Sequence, residues 1–574
     1  MDKNILLIHE RVDDIPLLIG VMQQLGLATV IDRHVHQHGH HQGLSTGWLV
    51  VVWLAYILSE GDHRKFNVQE WVMQHQQTLE RLLGQTLRDT DFTDDRLTLV
   101  LERLSDTAIW QAIEADLWCA TLGVYEIGVS GVRLDSTTSY GYHTPHEAGV
   151  MQQGHSKDHR PDLPQVKLMA AAAEPAGHVI ACDVHSGQAA DDPLYLPLIR
   201  RVHRLLAQTG MLYTGDSKMS ALGTRAEIAA AGDYYLTVLS LRSEARHDIA
   251  DWISAAVEGS QTLDLVWRDG DLLAAGYELS RPLSAAVNGQ PVAWTERVLV
   301  VRSRAVAAEA SQDLEQRLVK AEAALQHLTP PPGRGQRAYR DEAALQTAIA
   351  AVLARYDAAS LLQVTWRRDE QAVTRYVGRG GPGPQRPTRT EVHGRYFITA
   401  VARDTAAIAA QQARFGWRIY VTNMPVARLA LDQAVIHYRG GWCLERGFHQ
   451  VKDRPLGLSP LFVWRDDQIL GLTHLLTVGW RLLTLIEGQV RHGLAQAGAT
   501  LSGLYEGQPQ RVTDQPTARR LLKAFTRAQL TLTRITAGDD QLWHLTPLSP
   551  LLVAILTYVG LSETLYTCLA LDSS

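Results

Sequence analysis

The sequence predicts an α/β protein: a mixed β-sheet core, interrupted by a β-rich insertion and flanked by helical regions at both ends. Three observations predict it. Apolar residues recur at helical spacing across residues 1–126 and again from about residue 427 onward. Between residues 127 and 242 the order reads three strands, helix, strand, helix, strand. From 243 to 424, short strand-like runs alternate with two long helical patterns and two Pro/Gly-rich breaks. The expected division is therefore 1–126 helical, 127–242 core, 243–424 insertion, 425–490 core resumed and 491–574 helical.

In the first region Leu17, Leu18, Val21, Met22 and Leu25 form a helical stripe, with Pro16 suited to a first helical turn. The run 48–58 is apolar on most faces, and Leu97, Val100, Leu101 and Leu104 make another stripe, with Asp91 and Thr93 as candidate caps. His34, His36, His38, His40 and His41 are spaced irregularly around glycine and read as a solvated loop rather than a metal site. Core strands are expected in VSGVRLDSTTSYGY, at 166–172 and 179–184, in MLYTGDSKMS and in YYLTVL, with helices at 193–207 and 224–231. In the insertion, strands are expected at 262–267, 297–301, 362–366, 396–401 and 418–422, and helices at 305–328 and 339–361. Pro330, Pro331, Pro332, Gly333 and Gly335 separate those helices, and GRGGPGPQRP at 378–387 makes a second loop.

With 46% hydrophobic and 20% charged residues, collagen-like, coiled-coil and disordered chains are excluded. The four cysteines, Cys119, Cys182, Cys443 and Cys568, are far apart and form no CxxC pair, which suggests a reducing compartment. MDKNILLIHERVDD becomes charged too soon for a secretory signal, and the apolar run at 469–486 contains His474 and Arg481. A cytoplasmic protein with no membrane partner is expected. Formal charge is −6, which argues against a polyanion partner until it is resolved by position. Between Arg367 and Arg395 seven arginines, Arg379 and Arg386 among them, face three acids. Between Arg511 and Arg534 six basic residues face Asp514 alone, and Arg519, Arg520, Lys523 and Arg527 share part of a helix surface. Both stretches are candidate phosphate contacts.

Three acids stand where phosphoryl-transfer chemistry would want them. Asp135 ends the Val-Arg-Leu run, Asp216 follows Leu-Tyr-Thr-Gly, and Glu445 lies in the helical stretch YRGGWCLERGFHQVKDRPLG. Acids at strand ends of an α/β sheet point toward the crevice where ligands bind. A third acid from a helix would complete an oxygen cage for Mg²⁺. Tyr438, Glu445 and Lys452 are spaced by seven, expected on one helical stripe with His449 beside them, an array suited to a nucleic-acid backbone. Trp442 reads as a core residue more than as a stacking platform.

At these residues the chain resembles the bacterial insertion-sequence transposases of the DDE class that carry a tyrosine–arginine–glutamate–lysine signature, Y-x2-R-x3-E-x6-K. Tyr438, Glu445 and Lys452 match its spacing; Gly441 stands at the arginine position, with Arg439 and Arg446 nearby out of register. LDSTTSYGYHTPHEAG looks like the family's first-aspartate strand, YTGDSKMS its second, and SGQAADD the turn before the first core helix. VTNMP and RPLGLSPLFVWRDDQILGLTHLL are also similar, so the resemblance covers most of the chain. It implies an RNase H-like core split by the insertion, with Asp135, Asp216 and Glu445 as a metal-binding catalytic triad. Two Mg²⁺ ions are implied, Mn²⁺ substituting, as are terminal-repeat and target DNA as double-stranded partners and a homodimer on DNA. Tyr438, Arg439, Arg446, His449 and Lys452 become candidate DNA contacts. Asp191, the rival second aspartate, reads as a helix cap beside Pro193.

Overall fold

The computed structural model describes residues 5–37, 42–240, 244–331, 339–379, 381, 383–537 and 540–571. His38, His40 and His41 of the histidine loop, Pro332, Gly333 and Gly335 of the first break, and Gly380 and Pro382 of the second lie outside them.

The chain opens on a strand, β1 (Ile5–Arg11), where helix was expected. Helix α1 (Ile15–Gln24) follows, with Pro16 in its first turn. In α2 (Thr46–Glu60), Ser45 Oγ accepts from the Trp48 N–H to open the helix, and twelve of its residues are buried. The stripe Leu97, Val100, Leu101 and Leu104 is the buried face of α3 (Asp94–Leu104).

Five strands then build the core: β2 (Gly131–Tyr140), β3 (Gln165–Glu174), β4 (His178–Ser186), β5 (Leu212–Thr214) and β6 (Tyr234–Val238). Helices α4 (Asp192–Leu206) and α5 (Leu222–Ala230) flank β5 in sequence. β2, β3 and β4 form an antiparallel meander, while β5 joins β2 in parallel and β6 joins β5 in parallel. The two-residue period of β3 divides its side chains between two cores. Val166, Leu168, Ala170 and Ala172 pack into the core shared with the terminal helices; Met169, Ala171 and Ala173 pack with α4.

The insertion is less separate than its sequence suggested. β7 (Asp264–Arg268), β8 (Asp271–Val287) and β9 (Gln290–Ser303) continue the core sheet through β12 (Trp417–Thr422), giving one nine-stranded order, β4-β3-β2-β5-β6-β12-β9-β8-β7. β8 has no counterpart in the sequence reading, because Gly276, Pro282 and its alanines blur the alternation. Helices α6 (Arg304–Leu328) and α7 (Glu342–Arg355) pack around Leu314, Leu318, Leu325, Leu345 and Ile349 against the ribbon of β10 (Leu362–Tyr376) and β11 (Thr388–Arg403).

Helices α8 (Leu431–Arg439), α9 (Trp442–Lys452), α10 (Asp466–Ala497) and α11 (Ala518–Ala528) follow, then β13 (Thr531–Ala537) and β14 (Asp540–Leu545), two strands in a region expected to be helical, before a further helix at Pro550–Val559. β13 pairs with β1, from Ile5 opposite Ala537 to Arg11 opposite Thr531. The two terminal regions thus form one unit. α10 is long and apolar enough to cross a membrane, but 83% of its apolar window is buried within this fold. A Cβ on Gly471 would lie 2.0 Å from the Leu101 carbonyl, so only glycine lets α10 approach α3 this closely.

Asp14 is buried at the head of α1, accepting from Ser59 Oγ at 2.7 Å. Burial pushes its carboxyl up to about 7, with the charge of Asp13 adding to the rise. A raised carboxyl binds its proton more tightly in the folded chain, so its stabilisation is full below about pH 4 and is lost as pH rises toward 7. Asp14→Asn keeps the acceptor and removes the charge. Its melting midpoint is expected to exceed wild type at pH 8, by an equivalent of about 2–4 kcal/mol, and to converge with it near pH 4.

Candidate active site

The register of two parallel strands brings the first two acids together. Val132 pairs with Tyr213 and Arg133 with Thr214, so Asp135 and Asp216, each two residues beyond the Arg133–Thr214 pair, come level on adjacent strands; Asp216 lies past the end of β5, but Asp135 is in the middle of β2 and not at the strand end expected. Asp135 Oδ1 accepts from the Ser136 N–H at 2.7 Å and from Lys157 Nζ at 3.3 Å. Burial raises its carboxyl above the usual range; Lys157 opposes the rise and the charge of Asp216 adds to it. Asp216 Oδ1 accepts from the Tyr195 hydroxyl at 2.7 Å and the Lys218 N–H at 2.9 Å, while its carbonyl accepts from Thr237 Oγ1 at 2.6 Å. Three contacts fix this acid in one orientation.

Glu445 lies exposed in the first turn of α9. It lines a cleft of about 400 Å³ together with Asp135, Lys157, Asp158, His449 and Lys452. Among the described residues, no three His, Cys, Asp or Glu side chains come close enough together to hold a metal ion.

A buried cluster sets the position of α9. Arg133 Nε donates to Glu174 Oε1 at 2.6 Å, and its terminal nitrogens donate to the carbonyls of His437 at 2.7 Å and Tyr438 at 3.3 Å. His437 Nε2 sits 3.0 Å from Glu174 Oε2 and 3.0 Å from Thr214 Oγ1. Burial alone would raise Glu174, yet the His437 hydrogen bond and the Arg133 charge hold it below the ordinary range. Arg133 thereby satisfies the last carbonyls of α8, the groups a helix end leaves unpaired. The chain turns there, at Gly440 and Gly441, and restarts as α9.

That turn corrects the expectation of one continuous stripe. Tyr438 lies in the last turn of α8, packed edge-on against Tyr420 with ring centroids 4.9 Å apart, and is directed into the fold rather than along the cleft. Adjacent glycines lower helix propensity enough that the buried Arg133 can take over the helix-end carbonyls. Arg439 also turns inward, donating to Ser303 Oγ at 2.9 Å. Arg446 is ion-paired with the buried Glu487. Trp442, read as a core residue, is 51% exposed, with Arg446 lying 5.1 Å from its ring. Lys452 lines the cleft but is paired with Asp158 at 2.5 Å; His449 lines it exposed.

The remaining arginines lie elsewhere. Arg379 is exposed in the turn between β10 and β11. Arg386, beside it, spends its guanidinium on the carbonyls of Val377, Gly378 and Gly381, bracing the turn. Arg519, Arg520 and Lys523 are exposed on α11; Arg520 lies over Tyr505 at 4.4 Å and Lys523 pairs with Glu506 at 3.0 Å. Asp191 stands at the head of α4, but its side chain accepts from Lys167 Nζ at 2.5 Å and caps no helical N–H. Reading the sequence missed Lys157, Asp158, Tyr195 and Arg133, none of which carries a spacing signal.

Residues 7–114 match a family profile described as a domain of unknown function, DUF4277. No curated protein matches the chain. Among solved structures, the chain is similar to that titled a cryo-EM structure of a piggyBac transposase synaptic complex with hairpin DNA. The similarity runs at 8% identity and a TM-score of 0.31, over 90% of this chain and 81% of that one.

Proposed function

We propose that the chain is a DNA transposase of the DDE class, cutting DNA at the ends of an insertion sequence and joining the freed 3′-hydroxyl to target DNA. One observation carries this reading: the β2–β5 register sets Asp135 and Asp216 side by side, with Glu445 on the wall of the same cleft as Asp135. The strand order β4-β3-β2-β5-β6, three antiparallel and two parallel, supports an RNase H-like core. So does the order Asp, Asp, Glu along the chain, with the insertion between the second and third.

By residue type three carboxylates suit a hard divalent cation, although in this structure they are not gathered closely enough to share one. Two carboxylates on neighbouring strands repel each other, and burial raises the carboxyl of Asp135, with the charge of Asp216 adding to the rise. Mg²⁺, with Mn²⁺ as substitute, would be held by Asp135, Asp216 and Glu445, and would activate the attacking oxygen and neutralise the leaving one. The protein groups have their own tasks. Tyr195 and the Lys218 N–H hold the Asp216 carboxylate in place. Arg133 holds the end of α8, after which the chain turns into α9 and brings Glu445 to the cleft. His449 and Lys452 flank the phosphate path, and the exposed Arg519, Arg520 and Arg379, outside that cleft, would be further contacts to double-stranded DNA, a homodimer holding two ends.

The test uses purified full-length chain, duplexes drawn from the DNA flanking its gene, a supercoiled target plasmid and Mg²⁺ or Mn²⁺. Joined product with a free 3′ end consumed is expected. Cutting without joining would make it a nuclease of this fold, and no cutting at all would overturn the reading.

A further inference from the structure

The connector between β2 and β3 carries a pair of charges that the proposed reaction does not use. Ser156 Oγ accepts from the N–H groups of Asp158 and Arg160, His159 takes a left-handed conformation at φ 57°, and Thr138 Oγ1 accepts from the Lys157 N–H. This tight fold turns two successive side chains, Lys157 and Asp158, into the catalytic cleft. Lys157 Nζ reaches the Ser136 carbonyl at 2.5 Å, Ser136 Oγ at 2.9 Å and Asp135 Oδ1 at 3.3 Å. Asp158 Oδ1 receives Lys452 Nζ at 2.5 Å, in a pair only 15% and 16% exposed. The other Asp158 oxygen is buried with no hydrogen-bond partner, so the contact is made at a desolvation cost.

Resting on the transposase reading above, we infer that Lys157 and Asp158 form a two-point clasp over the site. Lys157 supplies Asp135 with a positive charge that a divalent cation must displace. Asp158 withholds Lys452, the lysine of α9 that lines the cleft with Glu445, from a phosphate. Phosphate oxygens compete with Asp158 for the same ammonium, and metal competes with Lys157 for the same carboxylate. DNA and metal arriving together therefore release both points, which couples assembly of the site to the presence of both. Lys157 is a positioning residue on this account, since it acts through Asp135.

Free Mn²⁺ measured by electron paramagnetic resonance, with full-length chain and no DNA, tests the first point. Lys157→Ala and Lys157→Met are expected to bind Mn²⁺ roughly five- to tenfold more tightly than wild type, Lys157→Arg to bind like wild type, and Asp135→Asn to lose binding. Unchanged or weaker binding in Lys157→Ala and Lys157→Met, with Asp135→Asn still losing it, overturns the clasp and leaves the metal site standing. Binding that survives Asp135→Asn overturns the metal site and the clasp with it. The second point is read by fluorescence anisotropy on a metal-free duplex. Asp158→Asn should tighten binding severalfold, more than Asp453→Asn, an exposed acid of the same cleft, and Lys452→Ala should cancel the gain. Equal effects of the two asparagine variants overturn it.

Discussion

Asp135→Asn and Asp216→Asn are each expected to reduce DNA cleavage by more than about 10³-fold while leaving the folded chain and duplex binding intact, because the groups of a catalytic unit fail together. Asparagine keeps the size of each side chain and one acceptor oxygen. Asp135 loses only its charge opposite Lys157, and Asp216 keeps an oxygen for Tyr195. Glu445→Gln should do the same with less structural effect, since it is exposed and outside any tight contact. Cleavage on labelled duplexes, with circular dichroism melts of the same preparations, separates the outcomes. If all three variants cut at wild-type rates, the chemistry lies elsewhere.

The second large effect concerns the joint between core and insertion. Arg225 on α5 is fully buried and ion-paired with Glu296 of β9, and it also reaches Glu244 at 2.5 Å and the Ser220 carbonyl at 2.8 Å. Glu296 in turn accepts from the Tyr235 hydroxyl at 2.6 Å and from Arg281. Removing one partner strands the other charge away from water. Arg225→Met is expected to destabilise the fold by about 3–5 kcal/mol, and Glu296→Gln by somewhat less because Arg281 and Arg225 keep Glu244. The double variant Arg225→Met, Glu296→Gln should cost less than the sum of the single changes. Urea unfolding curves measure this, and a strictly additive double variant would deny the coupling.

Much of the architecture was legible because burial imposes period. The stripe Leu97, Val100, Leu101, Leu104 and the acids closing Val-Arg-Leu and Leu-Tyr-Thr-Gly are local signals, and local signals survive in a single sequence. β8 was hidden because what aligns it is pairing with β9, not its own alternation. β1 and β13 were hidden for the same reason, β1 being aligned by β13, and β13 by β1 and β14. At the site, spacing by seven placed Tyr438 with Glu445, but the contacts of Arg133, more than three hundred positions away, decide where the helix breaks. Lys157 reaches the cleft through a turn that only the folded connector makes.

The pairing of Ile5–Arg11 with Thr531–Ala537 has a bearing on how the protein is made. Contacts of such sequence separation are the slowest to form, and they cannot form before Thr531–Ala537 has been translated. The first strand must wait, unpaired, until Thr531–Ala537 has left the ribosome. A product that stops before Thr531 leaves that strand as an open edge, a template for aggregation and a mark for proteases. Premature termination would thus disable the N-terminal unit as surely as the C-terminal one, so a shortened copy would not persist as a free-standing competitor of the full-length chain.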